Sequence, residues 1–226
     1  MDTSKNDPKK IKRPWPTKAA MTQVYEMKLW GGSDEVDFYS GEGSHHPDII
    51  NPYIEAVTSF LTAFKTPLVV CDLGCGDFNI GKKLVKHTQK YIAVDIVESL
   101  IAHNKTTFKE THLEFHCLDI ATSNLPSGDC VLIRQVLQHL SNFEVQNILN
   151  KLSSYKYVII TEHIPNGNFE PNKDIISGQG IRLKKQSGLN VLEPPFNFKV
   201  KHKKQLTSVT LSNNKGIIET TLYQVF

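Results

Sequence analysis

Short apolar runs separated by polar or turn-forming residues recur through most of the chain and predict the strands of a β-sheet. Between most of these runs, apolar residues recur at the three- and four-residue spacing of an amphipathic helix. The five predicted strands are 67–73, 90–95, 113–118, 130–135 and 155–162. Strands that alternate with helices favour a parallel sheet with helices on both faces.

Three helices are predicted from the spacing of apolar residues. The first follows Asn51 and Pro52, a suitable N-cap and first helical residue. The third follows Ser141, which forms a capping-box pattern with Glu144. The expected inward faces are Tyr53, Val57, Phe60, Leu61 and Phe64; Val97, Leu100, Ile101, Asn104 and Phe108; and Val145, Ile148, Leu149 and Leu152. The connection 120–129 is too short and too rich in Pro and Gly for a full helix, so we expect a loop or a single turn there.

The C-terminal residues have a different pattern. Segments 206–211 and 217–225 are rich in Thr, Val and Ile, and they flank a turn over 213–216 that ends in Gly216. This arrangement predicts an antiparallel hairpin. The predicted fold is therefore α/β, with a mostly parallel seven-stranded sheet that ends in a C-terminal antiparallel hairpin.

Composition fits a single globular α/β domain. The chain has 226 residues, of which 39% are hydrophobic and 22% are charged. No run approaches the roughly 20 apolar residues of a membrane-spanning helix, and the first residues lack the apolar core of a signal peptide, so we expect a cytoplasmic protein. The cysteines Cys71, Cys75, Cys117 and Cys130 match no common zinc spacing, so we expect reduced thiols and no metal.

Positive charge is concentrated at the N-terminus. Residues 1–18 carry a local charge of +4, which leaves −1 for the rest of a chain whose net charge is +3. A nearly neutral body argues against a broad nucleic-acid surface. We therefore divide the chain into a basic flexible leader (1–18), a lid segment (19–46) and the main domain (47–226).

A Gly-x-Gly turn at Gly74-Cys75-Gly76 follows the first predicted strand and is expected to lead into a helix opened by Asp77. Glycines let the backbone approach a ligand at the carboxyl end of a parallel strand. The next two strands end at Asp95 and Asp119, and Asp95 could accept hydrogen bonds from a ribose.

The charge at this turn favours one kind of ligand. Asp72 and Asp77 bracket the turn, which suits a cationic ligand better than a pyrophosphate. A dinucleotide site is the alternative, but Asn79 stands where its fingerprint needs a third glycine.

With these residues in place, the sequence resembles the class I S-adenosylmethionine-dependent methyltransferases over roughly residues 45–226. Asp72-Leu73-Gly74-Cys75-Gly76 is similar to their first motif. The resemblance implies S-adenosylmethionine as cofactor and S-adenosylhomocysteine as product. It implies that Asp95 binds the ribose, and that Asp119 and Ile120 meet the adenine. The implied cofactor site consists of Asp72, Gly74, Cys75, Gly76, Asp77, Asn79, Asp95, Ile96, Asp119, Ile120 and Gln135. Phe78 stands where many members have a third glycine, so we expect a narrower turn there.

Further stretches resemble a branch that often accompanies glycan-building enzymes, and this implies a sugar hydroxyl as methyl acceptor. They are 30–32, 40–44, 75–79, 95–97, 134–141 and 194–198. Methyltransferases acting on another small molecule, a lipid or RNA remain alternatives, and so does an NAD-dependent oxidoreductase. The oligomeric state is left open.

Four residues are candidates for catalysis at the ends of the fourth and fifth strands. A general base would help a weakly nucleophilic hydroxyl, and the ordinary pKa of histidine makes His139 the first choice. Glu162 and His163 are the second choice, and Arg134 could orient the acceptor or hold the cofactor carboxylate. Packing on adenine, helix capping and structural ion pairs are the competing interpretations.

Two segments are predicted to shape the cleft. The Gly-rich segment 30–44 is interpreted either as a mobile lid or as a fixed flap. The adjacent His45 and His46 are interpreted as a surface turn in preference to a ligand pair. The long segment 166–198 is expected to form the acceptor pocket.

Overall fold

The computed structural model describes residues 15–33 and 37–226. Residues 1–14 of the predicted leader and residues 34–36 of the predicted lid lie outside this description. The helices are α1 (Thr17–Glu26), α2 (Pro47–Thr62), α3 (Gly81–Leu84), α4 (Glu98–Thr107) and α5 (Asn142–Leu152). The strands are β1 (Val69–Leu73), β2 (Lys90–Asp95), β3 (Leu113–Cys117), β4 (Cys130–Arg134), β5 (Tyr157–Ile164), β6 (His202–Thr210) and β7 (Ile217–Gln224).

All seven strands form one sheet in the order β3-β2-β1-β4-β5-β7-β6. Strands β1 to β5 are parallel, and β7 lies antiparallel between β5 and β6. The predicted fold class is therefore confirmed. Gly216, at φ 103°, ends the turn of the hairpin in a conformation that favours glycine. Strand β6 begins at His202, before the predicted segment. The prediction missed its first half because those residues are exposed, lysine-rich and give no apolar signal.

Helices cover both faces of the sheet, as the alternation of elements predicts. Helix α5 buries Val145, Ile148, Leu149 and Leu152 against one face. Helix α2 buries Ile50, Tyr53, Val57 and Leu61 against the other. The capping box of α5 is present, since Ser141 and Glu144 each bond the backbone nitrogen of the other. The connection 120–129 contains no helix, as predicted.

Helix boundaries near the N-terminus differ from the prediction. Helix α2 begins at Pro47 and not at Pro52, because Pro47 fits the first helical turn and the His46 ring accepts a hydrogen bond from Asp48 N. Pro52 lies inside α2. Helix α1 was not predicted, and it includes Thr17 and Lys18 from the predicted leader.

The residues after the Gly-x-Gly turn also differ from the prediction. Asp77 does not open a helix, because the chain continues through a second turn and α3 begins only at Gly81. Helix α3 is a single turn that continues into a 3-10 turn over Val85–His87.

Candidate active site

A cleft of about 510 Å³ opens at the carboxyl ends of β1, β2 and β4. Its floor is the Gly-x-Gly turn and the ends of these strands. Its cover is α1 together with residues 40–44, which we call the flap. It is lined by Thr17, Met21, Tyr25, Leu29, Trp30, Ser40–Ser44, Tyr53, Asp72, Gly74–Gly76, Ile80, Tyr91, Asp95, Ile96, Leu118–Ala121, Arg134–Val136, Gln138–Leu140, Glu144, Gln179, Ile181 and Lys184.

The Gly-x-Gly turn requires glycine at both positions. Gly74 has φ 89°, and a Cβ there would lie 2.3 Å from Val136 Cγ2. Gly76 has φ 56°, and a Cβ there would lie 2.4 Å from Ser40 Oγ. The positive φ angles and the close approach of the Val136 and Ser40 side chains both exclude residues larger than glycine at these two positions. The turn is held by Gly74 N and Cys75 N, which donate to Val94 O.

Three carboxylates line the floor of the cleft. Asp95 ends β2 and accepts hydrogen bonds from Gly76 N and Val97 N, both at 3.1 Å. Asp72 accepts a hydrogen bond from Tyr91 OH at 2.9 Å. Burial raises the pKa of Asp72 to about 7 and also raises the pKa of Asp95. Asp119 accepts a hydrogen bond from Ala121 N at 2.9 Å. A cleft with three carboxylates on its floor suits a cationic ligand.

Phe78 follows the turn and does not narrow the cleft. Its φ is 62°, so its backbone adopts a conformation more typical of glycine. Its ring is fully buried beneath the turn, where it packs on Tyr91, Phe108 and Phe115. The prediction of a narrower turn here is therefore wrong, because the side chain points into the core.

Asp77 and Asn79 do not line the cleft but attach the turn to the flap. Asp77 Oδ2 accepts hydrogen bonds from Ser40 N at 2.8 Å and pairs with His45 Nε2 at 2.6 Å. Asn79 Nδ2 donates to Ser44 O at 2.8 Å. His45 is thus a partner of Asp77, whereas His46 caps α2.

Arg134 ends β4 and Gln135 follows it, both beneath the same flap. The Arg134 guanidinium donates to Gly43 O and to Ser44 Oγ, and it lies 4.9 Å from the centre of the Tyr53 ring. Gln135 has φ 56°, and its side chain lies against Gly43. Arg134 therefore contacts the flap and Tyr53, and no acidic partner lies within salt-bridge distance among the residues described.

His139 lies in the cleft and is oriented from two sides. Its Nδ1 donates to Gly178 O at 3.1 Å, which leaves Nε2 as the unprotonated nitrogen. Its ring lies 5.3 Å from that of Trp30. Burial lowers the pKa of His139 to about 4, so the imidazole is neutral at neutral pH. Gln138 Nε2 donates a long hydrogen bond of 3.4 Å to His139 Nε2, so this nitrogen is the acceptor of the neutral ring. The lowered pKa makes the imidazole a weaker base than the ordinary histidine pKa, on which its selection rested.

Glu162 and His163 lie on β5, outside the lining of the cleft. Glu162 Oε1 accepts a hydrogen bond from Leu137 N at 3.2 Å, and burial raises the pKa of Glu162 to about 8. His163 Nε2 donates to Lys215 O at 2.6 Å. The structure thus places Glu162 behind the 3-10 turn of Leu137–His139 and His163 against the hairpin.

Sequence reasoning missed the contributions of α1 and α5 to the cleft. Met21 and Tyr25 of α1 pack on Val97 and Leu100, and both line the cleft. The four-residue spacing of Met21 and Tyr25 is typical of one face of a helix and could have predicted α1. Glu144 also lines the cleft and accepts hydrogen bonds from Thr17 and Ser177, although the sequence identified it only as a capping residue.

Two negative findings apply to the described part of the chain. In residues 15–33 and 37–226, no helix is both long and apolar enough to cross a membrane. Within the same ranges, no group of three His, Cys, Asp or Glu side chains is arranged to hold a metal ion.

Comparison with known proteins agrees with this architecture. Residues 70–155 match the model of a family described as a methyltransferase domain. No curated protein matches the sequence. N-methyltransferase NodS from Bradyrhizobium japonicum WM9, solved with S-adenosyl-L-homocysteine, has a similar fold, with a TM-score of 0.65 at 12% identity over 91% of this chain and 98% of that one.

Two further methyltransferase structures are similar. Magnesium protoporphyrin IX methyltransferase from Synechocystis PCC 6803, solved with SAM, has a TM-score of 0.56 at 16% identity, covering 93% of this chain and 98% of that one. Human N-acetylserotonin methyltransferase, also with SAM, has a TM-score of 0.57 at 14% identity, covering 93% and 60%. The chain therefore has a Rossmann-like methyltransferase fold.

Proposed function

We propose that the protein transfers a methyl group from S-adenosylmethionine to a sugar hydroxyl held in the cleft. The position of Asp95 is the main support for S-adenosylmethionine as the cofactor. Asp95 ends β2 inside the cleft, its orientation is fixed by Gly76 N and Val97 N, and each of its oxygens keeps a lone pair for a ribose hydroxyl. Three similar structures were solved with S-adenosylmethionine or its demethylated product, which supports the same ligand here.

The residues around the turn fit this cofactor. Gly74 and Gly76 let the turn pack closely against Val136 and Ser40, and the carboxylates of Asp95 and Asp119 give the floor a negative charge that suits a sulfonium ion. When bound, S-adenosylmethionine supplies an electrophilic methyl group. Asp119 and Ile120 lie beyond Asp95 along the sheet edge and are the proposed adenine contacts.

The other half of the cleft is proposed to hold the acceptor. Trp30 offers an aromatic face on which a sugar can stack. His139 lies beside it with Nε2 unprotonated, and in our proposal this nitrogen accepts the proton of the acceptor hydroxyl. The Gly178 carbonyl keeps the ring in this tautomer. Arg134 holds the flap closed, which positions the acceptor and excludes water.

Calorimetry with S-adenosylhomocysteine tests the cofactor assignment. Asp95→Asn keeps the shape of the side chain and removes its charge, and we expect the affinity to fall at least tenfold, corresponding to about 1.5–3 kcal/mol for a hydrogen bond to a charged group. Asp48→Asn is the matched control, because Asp48 is exposed at the start of α2. Absence of binding to the unmodified protein, or equal losses in both variants, would contradict the assignment.

Transfer of labelled methyl from S-adenosylmethionine tests the acceptor class. We expect label to enter sugars or sugar-containing acceptors in a panel that also contains amines, lipids and RNA. His139→Gln should lower kcat by about 10²–10⁴-fold while S-adenosylhomocysteine affinity changes little. Label that enters only amines would refute the sugar hydroxyl, and equal losses of kcat and affinity would assign His139 to adenine packing.

A further inference from the structure

The segment 166–198 contains a charged side chain that is almost completely buried. Arg182 is 1% exposed and has the largest volume among the fully buried side chains of the described residues. A guanidinium stays charged at every physiological pH, and burying a charge costs free energy unless its donors are bonded. The bonding partners of Arg182 therefore show what this buried charge holds in place.

The Arg182 guanidinium bonds the 3-10 turn that carries His139. Nη1 donates to Leu137 O and Nη2 donates to Leu140 O, both at 2.8 Å. Nη2 also donates to Asn142 Oδ1 at 2.7 Å, at the start of α5. Leu137 and Leu140 lie on either side of His139, so the planar fork of the guanidinium holds both ends of the turn. A lysine ammonium is a single point charge and lacks this fixed fork.

A second contact from the same segment fixes His139 itself. Gly178, four residues before Arg182, accepts a hydrogen bond from His139 Nδ1 at 3.1 Å. Gly178 N donates in return to His139 O at 3.0 Å. Gly178 thus bonds both the ring and the backbone of His139, while Arg182 bonds the turn around it. The residues 178–182 therefore hold His139 through two independent sets of hydrogen bonds.

An ion pair with Glu162 is the competing explanation for the buried charge. Glu162 Oε1 accepts a hydrogen bond from Leu137 N at 3.2 Å. Glu162 Oε2 and Arg182 Nε are both buried without a hydrogen-bond partner among the residues described, so they do not bond each other. All three acceptors of Arg182 are oxygens of uncharged groups. Glu162 and Arg182 instead bond the nitrogen and the oxygen of Leu137, and both hold the turn.

We propose that Arg182 is a positioning residue that holds His139 in the orientation needed to accept the proton of the acceptor hydroxyl. This inference rests on the proposed function, because it takes His139 as the base. It adds that the segment proposed to form the acceptor pocket also sets the position of the base. Displacement of the segment would move His139 away from the hydroxyl, and a misplacement of about 1 Å can lower a rate about 10²-fold.

NMR spectra of the histidine ring nitrogens, recorded on the full chain without substrate, test the geometry. In the unmodified protein His139 should show the tautomer protonated at Nδ1. Arg182→Met removes all three hydrogen bonds, and we expect the His139 signal to move toward that of a free imidazole. Arg182→Lys keeps the charge without the fork, so it should move the signal in the same direction by a smaller amount. The lysine variant keeps the test available if Arg182→Met folds poorly.

Kinetics of labelled methyl transfer test the consequence for the reaction. Arg182→Met should lower kcat on the order of 10²-fold and change S-adenosylhomocysteine affinity little, because Arg182 does not line the cleft. Lys185→Met is the matched control, since Lys185 is exposed in the same turn and donates to Asp174 O. Val57→Ala, in a buried position of α2, controls for loss of stability. Both controls should keep the His139 signal and kcat.

An unchanged His139 signal in folded Arg182→Met protein would overturn the proposal. An equal change of the signal or of kcat in Val57→Ala would also overturn it, because lost stability would then be the cause. Full kcat in His139→Gln would instead refute the base assignment of the proposed function, and with it the catalytic consequence. The His139 signal, which needs no substrate, would still show whether Arg182 fixes the turn, so the two failures are distinguishable.

Discussion

A methyl group added at Gly81 should destabilise the protein through a clash with Phe78. In Gly81→Ala the new Cβ would lie 2.2 Å from Phe78 Cε2 and 2.6 Å from Phe78 Cδ2. The ring has no room to withdraw, because it is fully buried and its centre lies 4.9 Å from that of Phe115 and 5.0 Å from that of Phe108. Overpacking of a rigid core in this way costs about 1–3 kcal/mol.

The second variant, Phe78→Ala, removes the aromatic ring with which the new Cβ would clash. Alone it should cost about 3–5 kcal/mol, the usual effect of emptying a buried aromatic site. In that background Gly81→Ala should be neutral or stabilising, because alanine is favoured over glycine in a helix by about 1 kcal/mol. The loss of unfolding free energy in the double variant should therefore be smaller than the sum of the two single losses by about 2 kcal/mol.

Urea unfolding of the four proteins, followed by circular dichroism, measures this coupling free energy. Phe78→Leu can replace Phe78→Ala if the latter leaves too little folded protein for a baseline. Gly180→Ala is the control, since nothing lies within 4 Å of a Cβ at Gly180. Single effects that add within about 0.5 kcal/mol would refute the proposed packing of the Phe78 ring beneath the turn.

Three other predictions concern groups around the cleft. The His139 resonance, assigned by its loss in His139→Gln, should not titrate in NMR spectra between pH 7.5 and 5.5, because its pKa is lowered to about 4; a midpoint near 6.5 would contradict this. The raised pKa of Glu162, about 8, means that its contribution to stability is complete below pH 4.5 and is lost as pH rises through 8. Urea unfolding should thus show the unmodified protein losing stability relative to Glu162→Gln over that range, at up to about 1.4 kcal/mol per pH unit, and a pH-independent difference would refute it. Arg134→Met should speed amide exchange of flap residues on the order of tenfold, since two hydrogen bonds to Gly43 and Ser44 are lost; unchanged exchange would contradict that role.

The sheet could be predicted from the sequence because its strands are buried on both faces. All five residues of β4 are buried, and such runs produce a continuous apolar signal. The capping box at Ser141 was equally clear, because its residue types and spacing are local. Strand β6 was predicted too short, since its first residues are exposed and their polar sequence is set by solvent and not by packing.

The floor of the cleft was predictable for a related reason. Gly74, Gly76 and Asp95 occupy strand ends, so the predicted sheet places them together. Phe78 was misinterpreted, because a sequence does not show that a non-glycine residue adopts positive φ and points inward. The roles of Asp77 and of Glu144 depend on contacts with residues far along the chain, Ser40 and Ser177, and no local pattern encodes such contacts.

The bonds that Asp77 makes to the flap and to His45 limit how this scaffold can be recombined. Its carboxylate bonds Ser40 N and His45 Nε2 on one segment and Asn79 N on the other. A chimera that imports a foreign segment over 40–46 would replace the His45 ring that bonds the Asp77 carboxylate and the Ser40 hydroxyl that accepts from Asp77 N, so this largely buried acid would lose part of its hydrogen bonding at a cost in free energy. Loop grafting aimed at new acceptors should therefore transplant 40–46 and 76–79 as one unit. The segment 166–198 has no described hydrogen bond to Asp77, so its exchange leaves these bonds in place, but a replacement must keep the Gly178 carbonyl that orients His139.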